Sequence, residues 1–225
     1  MSTQPSPSDR TALRRHSERG RYDRDTINAI LDEALVCHLA FILDGQPHVI
    51  PTMYARVGDQ VFVHGAVANR ALEALRTASP ACLEVTLLDG LVMARSAFNH
   101  SMNFRSVVVL GQTVEVTDPV EKLAAMRALI EHVAPGRWDE TRHPNAKELE
   151  STVILALPLD EASAKVRTGA PIDYEADLAL GFWAGVIPLD TRAGEPITDR
   201  GDEGPPVPPY ARDYRRPSGA EGGSS

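Results

Sequence analysis

The sequence has very little cysteine, with only Cys37 and Cys82 among its 225 residues. Two thiols cannot build the framework of several disulfides that holds small secreted domains together, and they cannot supply a four-thiolate zinc site. The composition therefore favours a reducing compartment. We expect a cytoplasmic protein without a metal site.

Long hydrophobic runs are also missing. No apolar stretch approaches the ~18 residues that a membrane-spanning helix needs. The polar first residues lack the apolar centre of a secretory signal. We therefore expect no membrane-spanning segment and no role for a membrane in the function.

Common catalytic and nucleotide-binding motifs are absent as well. The sequence contains no G-x-G-x-x-G, no G-x-x-x-x-G-K-[ST] and no G-x-S-x-G. Its seven histidines include no H-E-x-x-H pair, and Cys37 and His38, as neighbours in a predicted strand, point to opposite faces. No standard motif therefore explains the chemistry of this chain.

Positive charge is in short supply overall, because 31 acidic residues outweigh 23 basic ones and give a net charge of −8. The basic residues are unevenly distributed, because residues 1–24 contain six arginines and only three acidic residues. The rest of the chain is thus more acidic than the whole and repels nucleic acid, which needs several cationic phosphate contacts. We expect no nucleic-acid partner and interpret the arginines as solvated, with contact to a polyanion as the alternative.

Composition also predicts the domain boundaries. Residues 1–21 form a basic segment with hardly any apolar side chain, and ten of the last 25 residues are Gly or Pro. Such segments bury too little apolar surface to offset the entropy of ordering. The sequence predicts disordered tails over residues 1–21 and 196–225, around one folded domain of residues 22–195.

The hydrophobic pattern predicts a mainly β domain with peripheral helices. Short apolar runs separated by turn dipeptides such as Asp44-Gly45 are typical of strands joined by hairpins. The predicted strands cover residues 36–43, 48–57, 61–64, 81–88, 104–116 and 152–157. The predicted helices begin after the N-cap residues Asp25, Asn69 and Asp118. About six antiparallel strands hide their edges most simply in a closed barrel.

One stretch, residues 46–75, has a composition that suits a ligand site. Pro51 lies in a predicted strand, where it cannot donate to the ladder, and the missing Cβ of Gly65 permits another group to come close. Asn69 and Arg70 open a helix, so free amides and a guanidinium could meet a phosphate there. A simple helix cap beside a solvated arginine is an equally good interpretation.

Four segments, in order along the chain, carry a resemblance to a known family: QPHVIPTMY; VFVHGA followed by NRALEAL; NFRSVVVLGQTVEV leading into DPVEKLAAMRALIEHV; and RTGAPIDYEADLALGFWAGVIPL. They lie within roughly residues 22–190. The chain resembles the FMN-binding split-barrel superfamily, that is, the pyridoxamine 5′-phosphate oxidase-like proteins. Within it, the chain is most similar to the nitroimidazole-resistance (Nim-like) group of flavin-nucleotide-binding proteins.

The resemblance implies a six-stranded antiparallel Greek-key split barrel that forms a homodimer, with FMN in the cleft between the subunits. It also implies these cofactor-binding residues: Ile50, Pro51, Thr52, Met53, Tyr54, Val63, His64, Asn69, Arg70, Arg105 and Ser106. Within this set, Asn69 and Arg70 would hold the FMN phosphate. His64 is the implied catalytic residue, close to both the cofactor and a small-molecule substrate.

The chain departs from the oxidases at two positions, where Ala55 and Ala71 replace lysines of the family pattern. The first of these lysines binds the substrate phosphate, so pyridoxamine phosphate is not the expected substrate. We expect an FMN-dependent oxidoreductase acting on a small molecule such as a nitro-aromatic. The alternatives are a non-catalytic flavin-binding protein, an F420-binding relative, a haem-binding relative with His64 on the iron, and a cofactor-free interaction module.

Overall fold

The computed structural model of the protein describes residues 8–77, 79–199 and 204–216. Its strands are β1 (Gly20–Arg21), β2 (Val36–Leu43), β3 (Gln46–Val57), β4 (Gln60–Ala66), β5 (Ala81–Met93), β6 (Ser101–Gly111), β7 (Val114–Glu115), β8 (Thr152–Pro158), β9 (Glu161–Arg167) and β10 (Gly185–Pro188). Its helices are α1 (Arg24–Glu33), α2 (Arg70–Arg76), α3 (Pro119–Val133), α4 (Ala146–Glu150) and α5 (Pro209–Arg212).

All ten strands belong to one antiparallel sheet in the order β1-β9-β6-β5-β2-β3-β4-β8-β7, with β10 added to the far end of β5. The predicted class, a mainly β split barrel, is confirmed. The predicted count of six strands and the closed barrel are corrected, because the path of paired strands ends at β1 and β7 without closing. Three of the extra strands have only two to four residues, too few to show alternation.

The turn and cap residues behave largely as the sequence predicts. Asp44 and Gly45 both have positive φ, 52° and 74°, as a two-residue turn between β2 and β3 requires. Asn69 and Asp118 accept backbone hydrogen bonds at the starts of α2 and α3. The predicted cap of α1 is wrong by two residues, since Asp23, not Asp25, accepts from the Thr26 amide at 2.8 Å.

The hydrophobic core lies on one face of the sheet, under α1. Leu31 of α1 is completely buried together with Val85, Val107 and Leu155 from three different strands. α3 packs against β3 and β4, and its His132 reaches the Tyr54 ring and the Ala34 carbonyl at the end of α1. No helix in the described ranges is both long and apolar enough to cross a membrane. One face of the sheet is thus sealed by the core, and the other is covered only in part.

The Tyr54 hydroxyl ties β3 to α1. It donates to the Leu31 carbonyl at 2.5 Å, and the tyrosine is 0% exposed. We expect Tyr54→Phe to lower the free energy of unfolding by about 1–2 kcal/mol, because the buried carbonyl would lose its partner. Urea unfolding measures this change. Tyr210→Phe, at a half-buried hydroxyl that bonds exposed Arg137, is the control; equal effects of the two changes would contradict the prediction.

The described parts of both predicted tails lie against the domain. Thr11 is buried, and Tyr22 accepts a hydrogen bond from the Leu13 amide at 2.9 Å. β1 pairs with β9, a strand that the sequence did not predict, so no partner for this segment was expected. At the other end, Arg216 donates to the Glu33 carbonyl at 3.0 Å. The structure thus differs from the predicted boundaries over residues 8–21 and 204–216; residues 1–7 and 217–225 lie outside the described residues.

Candidate functional site

A large part of the sheet surface turned away from the core, which we call the outer face, has no layer above it in the described residues. On β2 and β3 it is formed by directly opposed pairs: Val36 with Met53, His38 with Pro51, Ala40 with Val49, and Ile42 with Pro47. Val36 is 51% and Val49 is 62% exposed. An apolar sheet surface of this kind is typical of a binding site for a ligand or another chain.

Strand alternation divides the predicted cofactor residues between the two faces. Tyr54 and Val63 are buried in the core, and Ile50 packs against it. Directly opposed residues in neighbouring strands share a face. The core-facing set is Ile50, Thr52, Tyr54, Val63 and Arg105, whereas Pro51, Met53, His64 and Ser106 lie on the outer face. Side chains on opposite faces do not meet at one ring, so the predicted set is not brought together as a single side-chain site.

β3 has an open edge next to this surface. Over residues 46–53 it pairs with β2, and its pairing with β4 begins only at Tyr54. In the described part of the chain, no strand lies against the other edge of residues 46–53. Backbone groups there are free to bond a ligand or a second chain. Pro47 and Pro51 lack amide hydrogens, which limits indiscriminate strand pairing.

His64 lies on the outer face of β4, opposite the buried Ile154 of β8. Its ring is half-buried, its Nδ1 is fully buried, and no residue that the structure describes forms a hydrogen bond with either ring nitrogen. Burial lowers the pKa of His64 below its usual value. The imidazole is therefore neutral near pH 7, and Nε2, unlike the fully buried Nδ1, is the nitrogen whose lone pair could reach a metal or a proton donor.

The predicted phosphate corner is built differently from the expectation. The Asn69 side chain accepts from the Ala71 and Leu72 amides at 2.9 and 3.4 Å, so these amides are already bonded. Arg70 is 77% exposed and reaches Asp44 at 3.3 Å. The two amides that Asn69 binds are therefore not available to a phosphate, and the Arg70 guanidinium could hold one there in competition with Asp44.

The close approach predicted at Gly65 is present, but the chain itself makes it. A Cβ at this position would lie 2.8 Å from Leu72 Cδ1 and 3.3 Å from Asn69 Nδ2. Such a contact is too short for a side chain to be accommodated without movement. Glycine therefore allows α2 to pack on the end of β4, and no ligand is needed to explain it.

Arg105 is a structural residue in this arrangement. Its guanidinium donates to both oxygens of Glu33, at 2.5 and 2.9 Å, and to both oxygens of Asp89, at 3.0 and 2.8 Å. The hydrogen bonds to Glu33 and Asp89 raise the pKa of Arg105 above its usual range. Its neighbour Ser106 points to the other face, where its hydroxyl lies 3.5 Å from the Lys165 carbonyl. The prediction that these two side chains share a cofactor is therefore not supported by the geometry.

Sequence reasoning missed one feature entirely, a polar groove of about 910 Å³ beside the Arg105 cluster. The last described residues, Arg212-Asp213-Tyr214-Arg215-Arg216, form part of its wall. Composition assigned these residues to a disordered tail. The dense run of arginines around a tyrosine was the available signal.

The open antiparallel sheet, with its partly covered outer face, is that of a cofactor-binding split barrel. The chain belongs to the pyridoxamine 5′-phosphate oxidase family, whose sequence profile matches residues 23–166. The superfamily predicted from the four segments is thereby confirmed. The comparison with curated proteins gives no significant match.

The solved structures that resemble this chain include two proteins that are more than 30% identical to it. The flavocytochrome Anf3 from Azotobacter vinelandii is 42% identical, with 93% of this chain and 98% of that chain covered and a TM-score of 0.88. A FAD- and haem-binding protein from Mycobacterium smegmatis is 37% identical, with 87% and 96% covered and a TM-score of 0.82. A protein from Bacteroides thetaiotaomicron whose name refers to 5-nitroimidazole antibiotic resistance shares the fold at 20% identity, with 65% and 86% covered and a TM-score of 0.56.

Proposed function

We propose that the protein is a redox protein that binds a flavin and a haem. The two most similar solved structures that we describe carry names that refer to a flavocytochrome and to FAD and haem binding, and each is covered over nearly its whole length. The observation in this chain that carries the proposal is His64, a half-buried histidine without a hydrogen-bond partner among the described residues. A haem protein needs such an imidazole to hold its iron.

His64 suits the role of iron ligand better than that of proton donor. Its lowered pKa keeps the ring unprotonated near pH 7, which a metal ligand needs and a general acid does not. Of the other histidines, His132 donates from Nε2 to the Ala34 carbonyl, 2.7 Å away, and His38 pairs with Glu84 at 3.3 Å. His64 is therefore our candidate ligand, in place of the catalytic role predicted from the family resemblance.

The flavin site that we propose uses the open edge of β3. Backbone groups of residues 46–53 would bond the ring, with Pro51 and Met53 beside it on the outer face. Arg70 would bind the phosphate after leaving Asp44. The sequence predicts FMN; the name of the mycobacterial relative favours FAD, which carries the same ring and first phosphate. When bound, flavin supplies one- and two-electron transfer, and haem iron supplies one-electron and oxygen chemistry.

An oxidoreductase activity on a small molecule remains our proposal for what the bound groups do. A nitro-aromatic substrate stays a prediction from the resemblance, because the Bacteroides structure at 20% identity shows the shared fold alone. The two cysteines are not expected to react in place of the bound groups. Both thiols are buried or half-buried, and burial raises the pKa of both. Neither cysteine is thus an effective nucleophile near pH 7.

We also propose that a second copy of the chain covers the outer face. The exposed valines on β2 and β3 and the open β3 edge offer one apolar, hydrogen-bonding surface. We expect Val49→Glu to convert a dimer to monomer, because a carboxylate would be buried without a partner. Val114→Glu on β7 is a matched control, as Val49 and Val114 are both 62% exposed. Sedimentation velocity measures the outcome; monomeric wild type, or dimers unaffected by Val49→Glu, would contradict the proposal.

Absorbance titration of the purified protein with FAD, FMN and haem tests the proposed function. We expect one flavin and one haem per chain, seen as a perturbed flavin band and a Soret band. Flavin binding without haem would remove the haem half and leave a flavoprotein. Protein that binds none of the three would contradict the proposal as a whole.

A further inference from the structure

The groove beside the Arg105 cluster has the size and the rigid base of a ligand site. Its volume of about 910 Å³ falls within the roughly 300–1,000 Å³ usual for small-molecule sites. The base is formed by residues 86–89 of β5 with Glu33 and Arg105. Because each Arg105 nitrogen is already bonded to a carboxylate, this base is fixed in place and offers no free cation of its own.

The free cations come from the C-terminal wall. Arg215 is exposed and has no ion pair or hydrogen bond within the described ranges. Arg216 bonds only the Glu33 carbonyl, and Arg212 only the Val207 carbonyl. Three guanidinium groups without a carboxylate partner among the described residues thus line one wall. Two acidic residues lie in the groove segments 189–193 and 212–216. Asp190 pairs with Arg192 at 2.7 Å, and Asp213 lies next to Arg212 in the sequence.

The residue types of this wall suit the three parts of a nucleoside diphosphate, namely pyrophosphate, base and ribose. Adjacent arginines suit a pyrophosphate, since guanidinium forks bind phosphate oxygens in pairs. Tyr214 is half-buried and lines the groove, and an aromatic side chain at this position could stack on a base. The Asp213 carboxylate can accept hydrogen bonds from ribose hydroxyls, as acidic residues do in other dinucleotide sites.

We propose that this groove binds the adenosine diphosphate moiety of a dinucleotide. We assign the moiety to a reduced nicotinamide adenine dinucleotide acting as electron donor. The pyrophosphate of FAD includes the flavin phosphate, which is assigned above to Arg70 beside Asp44, at the opposite end of β2 from the groove. The choice of a nicotinamide nucleotide rests on the proposed redox function, whereas binding of the moiety itself does not. Arg215 and Arg216 hold the pyrophosphate, and the Arg105 cluster keeps the opposite wall rigid.

Calorimetric titration of the full chain with ADP tests the proposal. We expect Arg215→Ala/Arg216→Ala to weaken ADP binding at least tenfold. Arg14→Ala/Arg15→Ala removes two exposed arginines outside the groove and should leave ADP binding unchanged, which controls for net charge. Arg215→Gln alone repeats the test without touching the contact from Arg216 to Glu33. ADP that does not bind the wild type, or binds the double variant equally well, would overturn the proposal.

Further titrations with the same variants distinguish the source of the moiety. If FAD supplies it instead, the double variant loses affinity for FAD but keeps that for FMN, and this result would overturn both the nicotinamide assignment and the proposed contact of the flavin phosphate with Arg70. If the nicotinamide nucleotide supplies it, the variant loses affinity for NADH when flavin is already bound and keeps that for FAD. Binding of FMN and haem by the same samples tests the proposed function separately. A protein that binds ADP but neither FMN nor haem would contradict only the proposed function, and the reverse result would contradict only the groove proposal.

Discussion

Replacing His64 by alanine is expected to weaken haem binding at least about 100-fold, because even residues that only orient a metal ligand contribute about 10–100-fold to affinity. His64 is half-buried on β4, and its ring makes no hydrogen bond with any described residue, so its loss breaks no hydrogen bond among them. The fold should therefore survive. Haem titration followed at the Soret band measures the effect, with circular dichroism as a check on folding.

The control for this variant is His143→Ala, which removes an exposed histidine that stacks on Trp138. We expect its haem affinity to equal that of the wild type. Loss of haem from both variants would indicate a non-specific effect, and full retention in His64→Ala would remove His64 from the iron. Flavin binding by His64→Ala should persist, since the proposed flavin contacts lie on β3 and at Arg70.

Replacing Arg105 by alanine should produce the largest loss of stability. The change leaves Glu33 and Asp89 facing each other without their shared cation, and their side chains are only 15% and 31% exposed. We expect the free energy of unfolding to fall by about 2–4 kcal/mol, somewhat less than for a fully buried pair. Guanidinium unfolding gives the value. Arg192→Ala, in an exposed pair with Asp190, should cause no measurable change.

The same variant separates a structural Arg105 from the cofactor contact predicted from the family resemblance. If Arg105 has only a structural role, the Arg105→Ala variant should lose flavin binding only in proportion to the protein that is unfolded. An Arg105→Ala protein that unfolds like the wild type but binds flavin poorly would restore the predicted cofactor role.

Much of the sheet could be predicted because local chemistry determines it. Asp44-Gly45 adopts the left-handed conformations that a tight hairpin needs, and the apolar run of residues 36–43 forms β2 with the predicted bounds. Asn69 and Asp118 cap their helices for the same local reason. By contrast, β9 has the sequence EASAKVR, whose small and charged residues show little alternation, and only its neighbours β6 and β1 make it a strand.

The site was harder to predict because it depends on which face each strand turns to the core. Residues 50–54 form one continuous motif in the sequence, but alternate members point into the core and out of it. Arg105 resembles a free cation in the sequence, and only the fold places Glu33, 72 residues away, against it. His64 was singled out from the family resemblance, but its lack of hydrogen bonds among the described residues and its lowered pKa depend on three-dimensional packing.

Rescue of His64→Ala by free imidazole tests the central claim most directly, because it asks whether iron is bound by a nitrogen at this position. We predict that haem added to the variant gives an altered spectrum, and that millimolar imidazole restores the wild-type Soret and visible bands by filling the space left by the side chain. A His64→Ala protein whose haem spectrum matches the wild type before imidazole is added would contradict the account.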